Sequence, residues 1–296
     1  MPELPEVETV RTRLAPALTG RRFAHVEIRD PRLTRPFDAR AVAATLEGER
    51  VRDVTRRGKY LVVSFESGRS LLIHLRMTGS IRHAAPGVSA DDPYRRAVVR
   101  LDDGSDVVYR DVRRFGTWLV VEPEELEPYL ATRLGAEPLA RGFTSRRLAD
   151  RLHRRRGPIK AVLLDQRTLA GMGNIYVDEA LWRAGIHPVR PANELELDDV
   201  ARLTRGIKDA LRAGIARQGA TLRDYSTPDG RRGRMQEAFK VYGRTDEPCV
   251  RCGTPVEKTR VAGRGTWYCP RCQQAPRYAA SRSSSRPSRS RRQSSV

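Results

Sequence analysis

The chain has 296 residues, of which 56 are Lys or Arg and 36 are Asp or Glu, so its formal net charge is +20 at pH 7. Its length predicts about two domains with sizeable cores. The positive charge, most of it on arginine, indicates a polyanionic partner and favours nucleic acid over an anionic membrane. With neither a signal peptide nor an apolar run long enough to span a bilayer, the sequence predicts a soluble, cytoplasmic protein.

The first eight residues combine two prolines with three carboxylates. Removal of Met1 would leave Pro2 with a free secondary amine whose pKa is roughly 8, so a good fraction would be nucleophilic at pH 7. Attack on a sugar C1′ would form an iminium, whose positive charge makes elimination of a phosphate feasible. Glu3 and Glu6 could then supply and remove protons. The alternative is that these prolines and acids only start a helix.

The segment Glu6–Leu18 carries valine and leucine at helical spacing, with Gly20 where a C-cap belongs, and predicts a helix with one buried face. Short alternating or apolar runs follow, separated by turn signals such as those at 66–68 and 102–104. We predict a β-sandwich or barrel with a helix packed on it. Its strands are Ala24–Ile28, Val51–Thr55, Tyr60–Phe65, Leu71–Leu75, Ala97–Leu101, Val107–Tyr109 and Thr117–Val121.

Three loops in this half are polar in ways that a core does not need. Lys59 stands at the entrance of a strand, where its amine could reach a phosphate or a leaving proton, or could simply be a surface cation. Met77 lies in a turn and could act as a wedge between stacked bases. Arg113 and Phe115 share one turn, which would suit holding a duplex open, although a half-buried phenylalanine beside surface arginines is the commoner arrangement.

From Leu126 the pattern becomes helical, which places a domain junction near 122–131. The glycine-rich turn at 170–176 could let backbone N–H groups and Asn174 approach a phosphate, or could only connect two helices. The cations at 154–160 are either further phosphate contacts or a solvated charge run. The predicted helices are Thr144–Arg154, Ile159–Leu164, Gly173–Ala184, Leu197–Gln218 and Thr221–Asp224.

Two C-x2-C pairs lie near the end of the chain, and their spacing is that of a four-cysteine zinc hairpin. The predicted strands of this hairpin are Pro255–Arg260 and Gly265–Tyr268, with Arg264 exposed in the tip turn. Because four thiolates leave no open coordination position, the zinc is expected to be structural. Residues 277–296, rich in Arg and Ser, predict a disordered tail. The ligands are Cys249, Cys252, Cys269 and Cys272.

These motifs together resemble those of the formamidopyrimidine-DNA glycosylase family, from Pro2 to about Gln273. They are the MPELPEVE start, GKYL at 58–61, HLRMTG at 74–79, RRFG at 113–116, GMGNIY at 171–176, VYGR at 241–244 and CPRCQ at 269–273. The resemblance implies an α+β fold: an N-terminal β-sandwich with a packed N-terminal helix, a helical helix–two-turn–helix domain and a C-terminal four-cysteine zinc β-hairpin. The implied ranges are 1–125 for the catalytic domain, 126–225 for the helical domain, 226–245 for a lesion-capping loop and linker, 246–274 for the hairpin and 275–296 for the tail.

The resemblance also implies a bifunctional DNA glycosylase and abasic-site lyase of base excision repair. Pro2 would attack C1′ of an oxidised purine nucleotide, such as 8-oxoguanine or a formamidopyrimidine. Glu3 would donate the proton that opens the sugar and helps to expel the base, and Glu6 would support proton transfers. Lys59 would act in β-elimination and Arg264 in δ-elimination. One structural Zn²⁺ would be bound, and the enzyme would act as a monomer.

Double-stranded DNA containing damaged bases is the implied partner, so the protein would associate with the nucleoid. Met77, Arg113 and Phe115 would fill the gap left by the flipped nucleotide, and Asn174 would hold its phosphate. The full set of implied DNA contacts is His74, Met77, Tyr94, Arg113, Phe115, Arg155, Arg156, Lys160 and Asn174.

Two positions depart from the family pattern. Tyr94 begins a Tyr-Arg-Arg run where the family often has His-x-His, and Arg234-Met235 stands in the capping loop where a glycine and an aromatic are frequent. The second departure leaves the lesion spectrum open. Two other functions remain: a catalytically weak paralogue that binds lesions or abasic sites, and a general zinc-containing nucleic-acid-binding protein, which would leave the terminal Pro-Glu unexplained.

Overall fold

The structure is a computed structural model and describes residues 1–85 and 92–276. The predicted disordered tail at 277–296 lies outside these residues. Three 3-10 turns, at Pro31–Thr34, Ala192–Glu194 and Met235–Ala238, accompany the helices. The helices are α1 (Leu4–Leu18), α2 (Ala39–Leu46), α3 (Leu126–Ala131), α4 (Ser145–Leu152), α5 (Ile159–Leu164), α6 (Asn174–Ala184) and α7 (Leu197–Ala216).

The N-terminal half is a β-sandwich, as predicted. Two four-stranded antiparallel sheets, in the orders β1-β6-β7-β5 and β2-β3-β4-β8, share one apolar core with the buried face of α1. Phe23 and Phe65, one from each sheet, meet edge to face at 5.3 Å between ring centroids. The strands are β1 (Phe23–Ile28), β2 (Val51–Arg57), β3 (Tyr60–Phe65), β4 (Ser70–His74), β5 (Gly79–Ala84), β6 (Arg95–Leu101), β7 (Asp106–Asp111) and β8 (Thr117–Val121).

Three elements differ from the prediction. Strand β5 was missed because Ile81 is its one large apolar residue, and its pairing with β7 is decided by the sheet. Helix α2 was also missed; it begins at the Asp38 cap and buries only Val42 and Leu46. The predicted helix Thr221–Asp224 is wrong, since the chain there forms bends.

A second core lies among the helices, where α6 packs along α7. Their approach is close: a Cβ on Gly214 of α7 would stand 2.5 Å from the Tyr176 ring of α6. Leu4, at the start of α1, belongs to this helical core, whereas Val7 and the rest of the buried face belong to the sandwich core. The N-terminus of the chain is therefore anchored at the junction of the two halves.

The C-terminal hairpin consists of β9 (Glu257–Val261) and β10 (Arg264–Tyr268). Ala262 and Gly263 connect them with φ of 48° and 74°, the positive values of a type I′ hairpin turn. Arg264 is therefore the first residue of β10, opposite Val261, and not part of the turn itself. In the part of the chain that the structure describes, no helix combines the length and apolarity needed to cross a membrane.

Candidate active site and DNA-binding cleft

Glu3 is the N-cap of α1, and its side chain reaches the first turn of another helix, α6. Its Oε1 accepts the Ile175 N–H at 3.0 Å and its Oε2 accepts the Tyr176 N–H at 3.3 Å. A Cβ on Gly173 would lie 2.2 Å from the Glu3 carboxyl carbon, so the close approach requires glycine. The glycine-rich turn at 170–176 thus holds the N-terminal residues of the chain in place.

Glu6 is as deeply buried as Glu3 and joins three parts of the chain. Its Oε2 accepts the Glu3 N–H at 2.8 Å, while its Oε1 accepts the Ala220 N–H at 2.7 Å and the Tyr176 hydroxyl at 2.8 Å. Burial raises the pKa of both carboxyls; Glu3's charge raises the pKa of Glu6 further, and the Lys59 charge partly offsets the rise at Glu3. Each carboxyl therefore keeps its proton to a higher pH than an ordinary glutamate does.

Lys59 immediately precedes β3, and only 5% of its surface is exposed. Burial lowers the pKa of its amine, the charges of Glu3 and Glu6 oppose that shift, and the charge of Arg264 adds to it. The preceding residue, Gly58, has φ of 57° and donates its N–H to Glu137. The structure therefore brings the amine, the two carboxyls and the guanidinium of the hairpin into one electrostatic neighbourhood.

A cleft of about 360 Å³ opens at Glu6, which is one of its lining residues. Pro2 is buried and lines it, while Met1 is 46% exposed. This volume lies within the usual range for small-ligand pockets. The lining residues are Met1, Pro2, Glu6, Met77, Thr78, Gly79, Arg113, Ile175, Ala220, Leu222, Arg223, Asp224, Tyr225 and Tyr242.

The turns that carry Met77, Arg113 and Phe115 are held together by Asp111, which is almost fully buried. Its Oδ1 accepts the Thr78 hydroxyl at 2.5 Å, and its Oδ2 accepts the Gly116 N–H at 2.8 Å. Met77 and Phe115 nevertheless stay exposed by 38% and 50%, and the Arg113 guanidinium lies 4.7 Å from the Phe115 ring centroid. Sequence reasoning missed Asp111, although an aspartate just before a turn is a known signal.

The other predicted DNA contacts are spread around this centre. His74 is mostly buried; burial and the Arg76 charge lower its pKa to about 3, and its Nδ1 accepts the Arg76 N–H at 3.0 Å. The ring is therefore neutral, with its proton on Nε2. Tyr94 is exposed under the Arg110 guanidinium, 4.8 Å from the ring centroid. Arg155 and Arg156 are exposed as well.

Lys160, which the sequence groups with the DNA contacts, is buried in this structure. Its side chain has no exposed area, and its amine lies 2.6 Å from Asp178 Oδ1 and donates to the Gly265 carbonyl at 3.0 Å. Asn174 donates to the same carbonyl at 2.9 Å, and Asp178 Oδ2 accepts the Trp267 N–H at 3.0 Å. These contacts hold β10, and with it Arg264, against α5 and α6.

The four cysteines form one cluster whose Sγ atoms lie within 4.8 Å of one another. Pairwise Sγ–Sγ distances include 3.4, 3.5 and 4.0 Å, close to the ~3.8 Å that tetrahedral Zn–S bonds of about 2.3 Å imply. The Trp182 indole N–H donates to Cys249 Sγ at 3.4 Å. The cluster is thus positioned to bind one zinc ion.

The wall of the cleft differs from the predicted capping segment at 226–245. Leu222 and Arg223 line the cleft from upstream of that segment, and Tyr242 lines it from within. Met235 is completely buried in the helical core, and Arg234 points outward and pairs with Glu237 at 3.1 Å. Neither residue of the unusual Arg-Met pair lines the cleft.

Comparison with known families accounts for most of the chain. Residues 1–118 match the formamidopyrimidine-DNA glycosylase N-terminal domain, and residues 134–226 match its H2TH domain. Residues 246–275 match a zinc finger found in FPG and IleRS. The fold and the site are therefore those of a DNA glycosylase of base excision repair.

Individual relatives are similar to this chain along nearly the whole of their own length. The formamidopyrimidine-DNA glycosylases of Geobacillus kaustophilus and Chloroflexus aggregans are 46% and 45% identical, cover 92% of this chain, and are themselves covered over 100% and 98%. The complex of Lactococcus lactis Fpg with DNA containing an abasic site superposes with a TM-score of 0.85 at 37% identity, over 92% of this chain and 100% of that one. MutM in complex with DNA containing carbocyclic 8-oxo-G gives 0.84 at 37% identity, over 93% and 100%. The chain belongs to the formamidopyrimidine-DNA glycosylase family.

Proposed function

We propose that this chain excises oxidised purines from double-stranded DNA through an imine on Pro2 and then cleaves the strand by β,δ-elimination. It works as a monomer in the cytoplasm, on the nucleoid. The observation that carries the proposal is that Pro2 and Glu6 line one cleft. Glu6 is hydrogen-bonded to Glu3, and the charges of both carboxyls act on the buried amine of Lys59. Structures of relatives with damaged or abasic DNA support the choice of substrate.

The first step requires Met1 to be removed, so that the Pro2 nitrogen carries a free electron pair. That nitrogen attacks C1′, and the bond to the base breaks with its electron pair leaving on the base. Glu3 is suited to supply the proton that opens the sugar ring and so helps to expel the base, because burial raises its pKa above that of an ordinary carboxyl. The sugar C1′ is left as an iminium on Pro2.

Strand cleavage follows from the charge on that iminium. It acidifies the C2′–H, and loss of this proton expels the 3′ phosphate; a second elimination expels the 5′ phosphate, and water releases the sugar fragment. The Lys59 amine, whose pKa burial lowers, serves the first elimination. Arg264, held on the hairpin, serves the second by pairing with the departing phosphate.

Reaching C1′ requires the damaged nucleotide to leave the base stack, which costs a few kcal/mol. Met77 and Phe115 are exposed at two turns that are both bonded to Asp111, and their side chains enter the vacated space. Arg113 pairs with the orphaned base. Neutral His74, Asn174, Arg155 and Arg156 contact the phosphates on either side.

Borohydride trapping tests the proposal on a duplex with 8-oxoguanine opposite cytosine. We expect a covalent adduct with the chain that lacks Met1, as established by intact mass, and its loss after chemical blocking of the N-terminal amine. An adduct that survives blocking would place the nucleophile elsewhere. If the chain binds abasic DNA tightly but forms no adduct, it is a catalytically weak lesion-binding relative.

A further inference from the structure

A groove of about 500 Å³ is lined by residues that adjoin the cleft wall along the chain, and it takes no part in the mechanism above. Residue Arg217, at the end of α7, forms one side, and Arg231, Arg232 and Arg234 come from the segment that returns past it. Glu237 is the one carboxylate among its lining residues. The arginines therefore outnumber the acid four to one.

The arginines are placed by backbone contacts, not by chance proximity on a flexible loop. The Arg234 N–H donates to the Arg217 carbonyl at 2.8 Å, and the Met235 N–H donates to the Gly219 carbonyl at 2.9 Å. A Cβ on Gly233 would lie 2.4 Å from the Gly219 carbonyl oxygen, so glycine lets the two segments touch. The groove is a built feature of the fold.

Two of its guanidinium groups are available to a ligand. Arg231 pairs with Asp229 at 3.2 Å and Arg234 with Glu237 at 3.1 Å. Arg217 and Arg232 are both exposed and make no ion pair with any carboxylate among the residues that the structure describes. The C-terminal end of α7 contributes only about half a negative charge. Positive charge therefore prevails in the groove.

We propose that this arginine groove binds the phosphodiester backbone of DNA, as a contact separate from the lesion cleft. Guanidinium groups match phosphate oxygens in a planar, bidentate geometry. The groove and the cleft share one stretch of chain, since Gln218 lines the first and Ala220 the second. DNA held at the cleft is consequently the polyanion with the highest effective concentration beside the groove.

The inference relies on the proposed function only in taking DNA as the polyanion, and undamaged DNA tests it separately. The test compares R217Q/R232Q with the charge-matched control R40Q/R52Q, which removes two exposed arginines of the sandwich domain. Binding to an undamaged duplex is measured over a range of salt concentrations. Each phosphate contact contributes about 0.9 to the slope of log K against log salt, so the groove variant should lose roughly 2 from that slope.

The control should lose much less, and R217K/R232K, which keeps the charge, should retain most of the slope. Equal slopes for the two glutamine variants would overturn the proposal, as would a wild-type slope for R217Q/R232Q. Thermal denaturation of each variant shows whether the fold is retained. If R217Q/R232Q is unstable, R217K/R232K is compared with wild type instead: a lower affinity for DNA supports the proposal, and an unchanged affinity overturns it. Borohydride trapping of R217Q/R232Q at saturating lesion DNA should match wild type, so a failure of the groove leaves the Pro2 mechanism standing.

Discussion

Glu6 connects the N-terminal segment that carries Pro2 to the wall of the cleft. It accepts the Glu3 N–H on one oxygen, and the Ala220 N–H and Tyr176 hydroxyl on the other. A Cβ on Gly219 would lie 2.7 Å from the Glu6 Cγ, so the chain can approach Glu6 this closely only because residue 219 is glycine. Glu6 is therefore a positioning residue as well as a candidate proton carrier.

Changing Glu3 to glutamine should separate base excision from cleavage at a preformed abasic site. Without a dissociable proton at this site, base excision from 8-oxoguanine DNA should fall by about 10²–10⁴-fold, the usual contribution of a general acid. Cleavage of a preformed abasic site should fall much less, because no base must be expelled. Single-turnover assays on both substrates measure this, with Glu124→Gln as an exposed control. Equal losses on both substrates would contradict the role of Glu3.

The same variant should change the pH dependence of stability. Burial raises the folded-state pKa of Glu3, so its contribution to stability is full at pH below the unfolded value and is lost as pH rises through the folded value. Glutamine has no such titration. The Tm of Glu3→Gln relative to wild type should therefore increase between pH 4 and pH 8. Thermal denaturation at several pH values measures it, and a constant difference would contradict the raised pKa.

At the scale of elements, the zinc hairpin is positioned by α5 and α6, through Lys160 of the first and Asp178 of the second. Both side chains are inaccessible to solvent, and both bond the backbone of β10, at Gly265 and Trp267. The position of Arg264 therefore depends on α5 and α6, while zinc maintains the internal shape of the hairpin.

Asp178→Asn should leave the Lys160 charge buried without compensation, at a cost of roughly 3–5 kcal/mol. Displacement of β10 should reduce δ-elimination more than β-elimination, visible as a shift in the cleavage products on a gel. The double variant Lys160→Met/Asp178→Leu should recover much of the Tm, because it removes both charges, yet keep the product shift. Wild-type product ratios in both variants would show that the pair does not place Arg264.

Removal of zinc should unfold the hairpin and leave the two larger cores intact. The hairpin's own cluster is small and includes the cysteines themselves, so metal bonds are its main source of stability. We expect one zinc per chain by atomic absorption, and loss of strand cleavage after chelation with little change in far-ultraviolet circular dichroism. Readdition of zinc serves as the control, and full activity of the metal-free chain would contradict a structural role for the hairpin.

At the scale of the whole molecule, a partly buried ion network joins the sandwich to the helical half. Arg56, with a side chain 10% exposed, lies 3.0 Å from Glu8 of α1 and 3.1 Å from Glu137. Glu137 also accepts the Gly58 N–H, next to Lys59. The junction that seats the N-terminus is thus linked to the entrance of β3.

Glu137→Ala should lower the free energy of unfolding by about 1–3 kcal/mol, since charged hydrogen bonds are lost at a site with little solvent. The loss should also slow β-elimination, because Gly58 no longer fixes the backbone before Lys59. Glu127→Ala is the matched control: it breaks an exposed 2.7 Å pair with Arg57 and should leave both properties nearly unchanged. Denaturant titration and an abasic-site assay measure the two effects; equal behaviour of the variants would argue against the network.

Local patterns in the sequence were sufficient for several features. The spacing of valine and leucine predicted α1, alternating apolar runs predicted seven of the strands of the sandwich, and two C-x2-C pairs predicted the metal cluster. Each of these depends on residues close together in the chain. Strand β5 escaped because its apolar content is low and its partner β7 is distant.

The sequence by itself therefore determined the chemistry that this chain carries: a terminal proline with carboxyls, a lysine at a strand entrance and four thiolates. Only the tertiary structure decided which of them act together. The contact between Glu3 and Ile175 joins residues 172 positions apart, and Glu6 and Ala220 are 214 apart. Burial is also a property of the tertiary structure. Lysine is a residue type usually found on the surface, but Lys160 is covered by Asp178 and the hairpin. Neither long-range contacts nor the packing above a side chain can be read from local spacing.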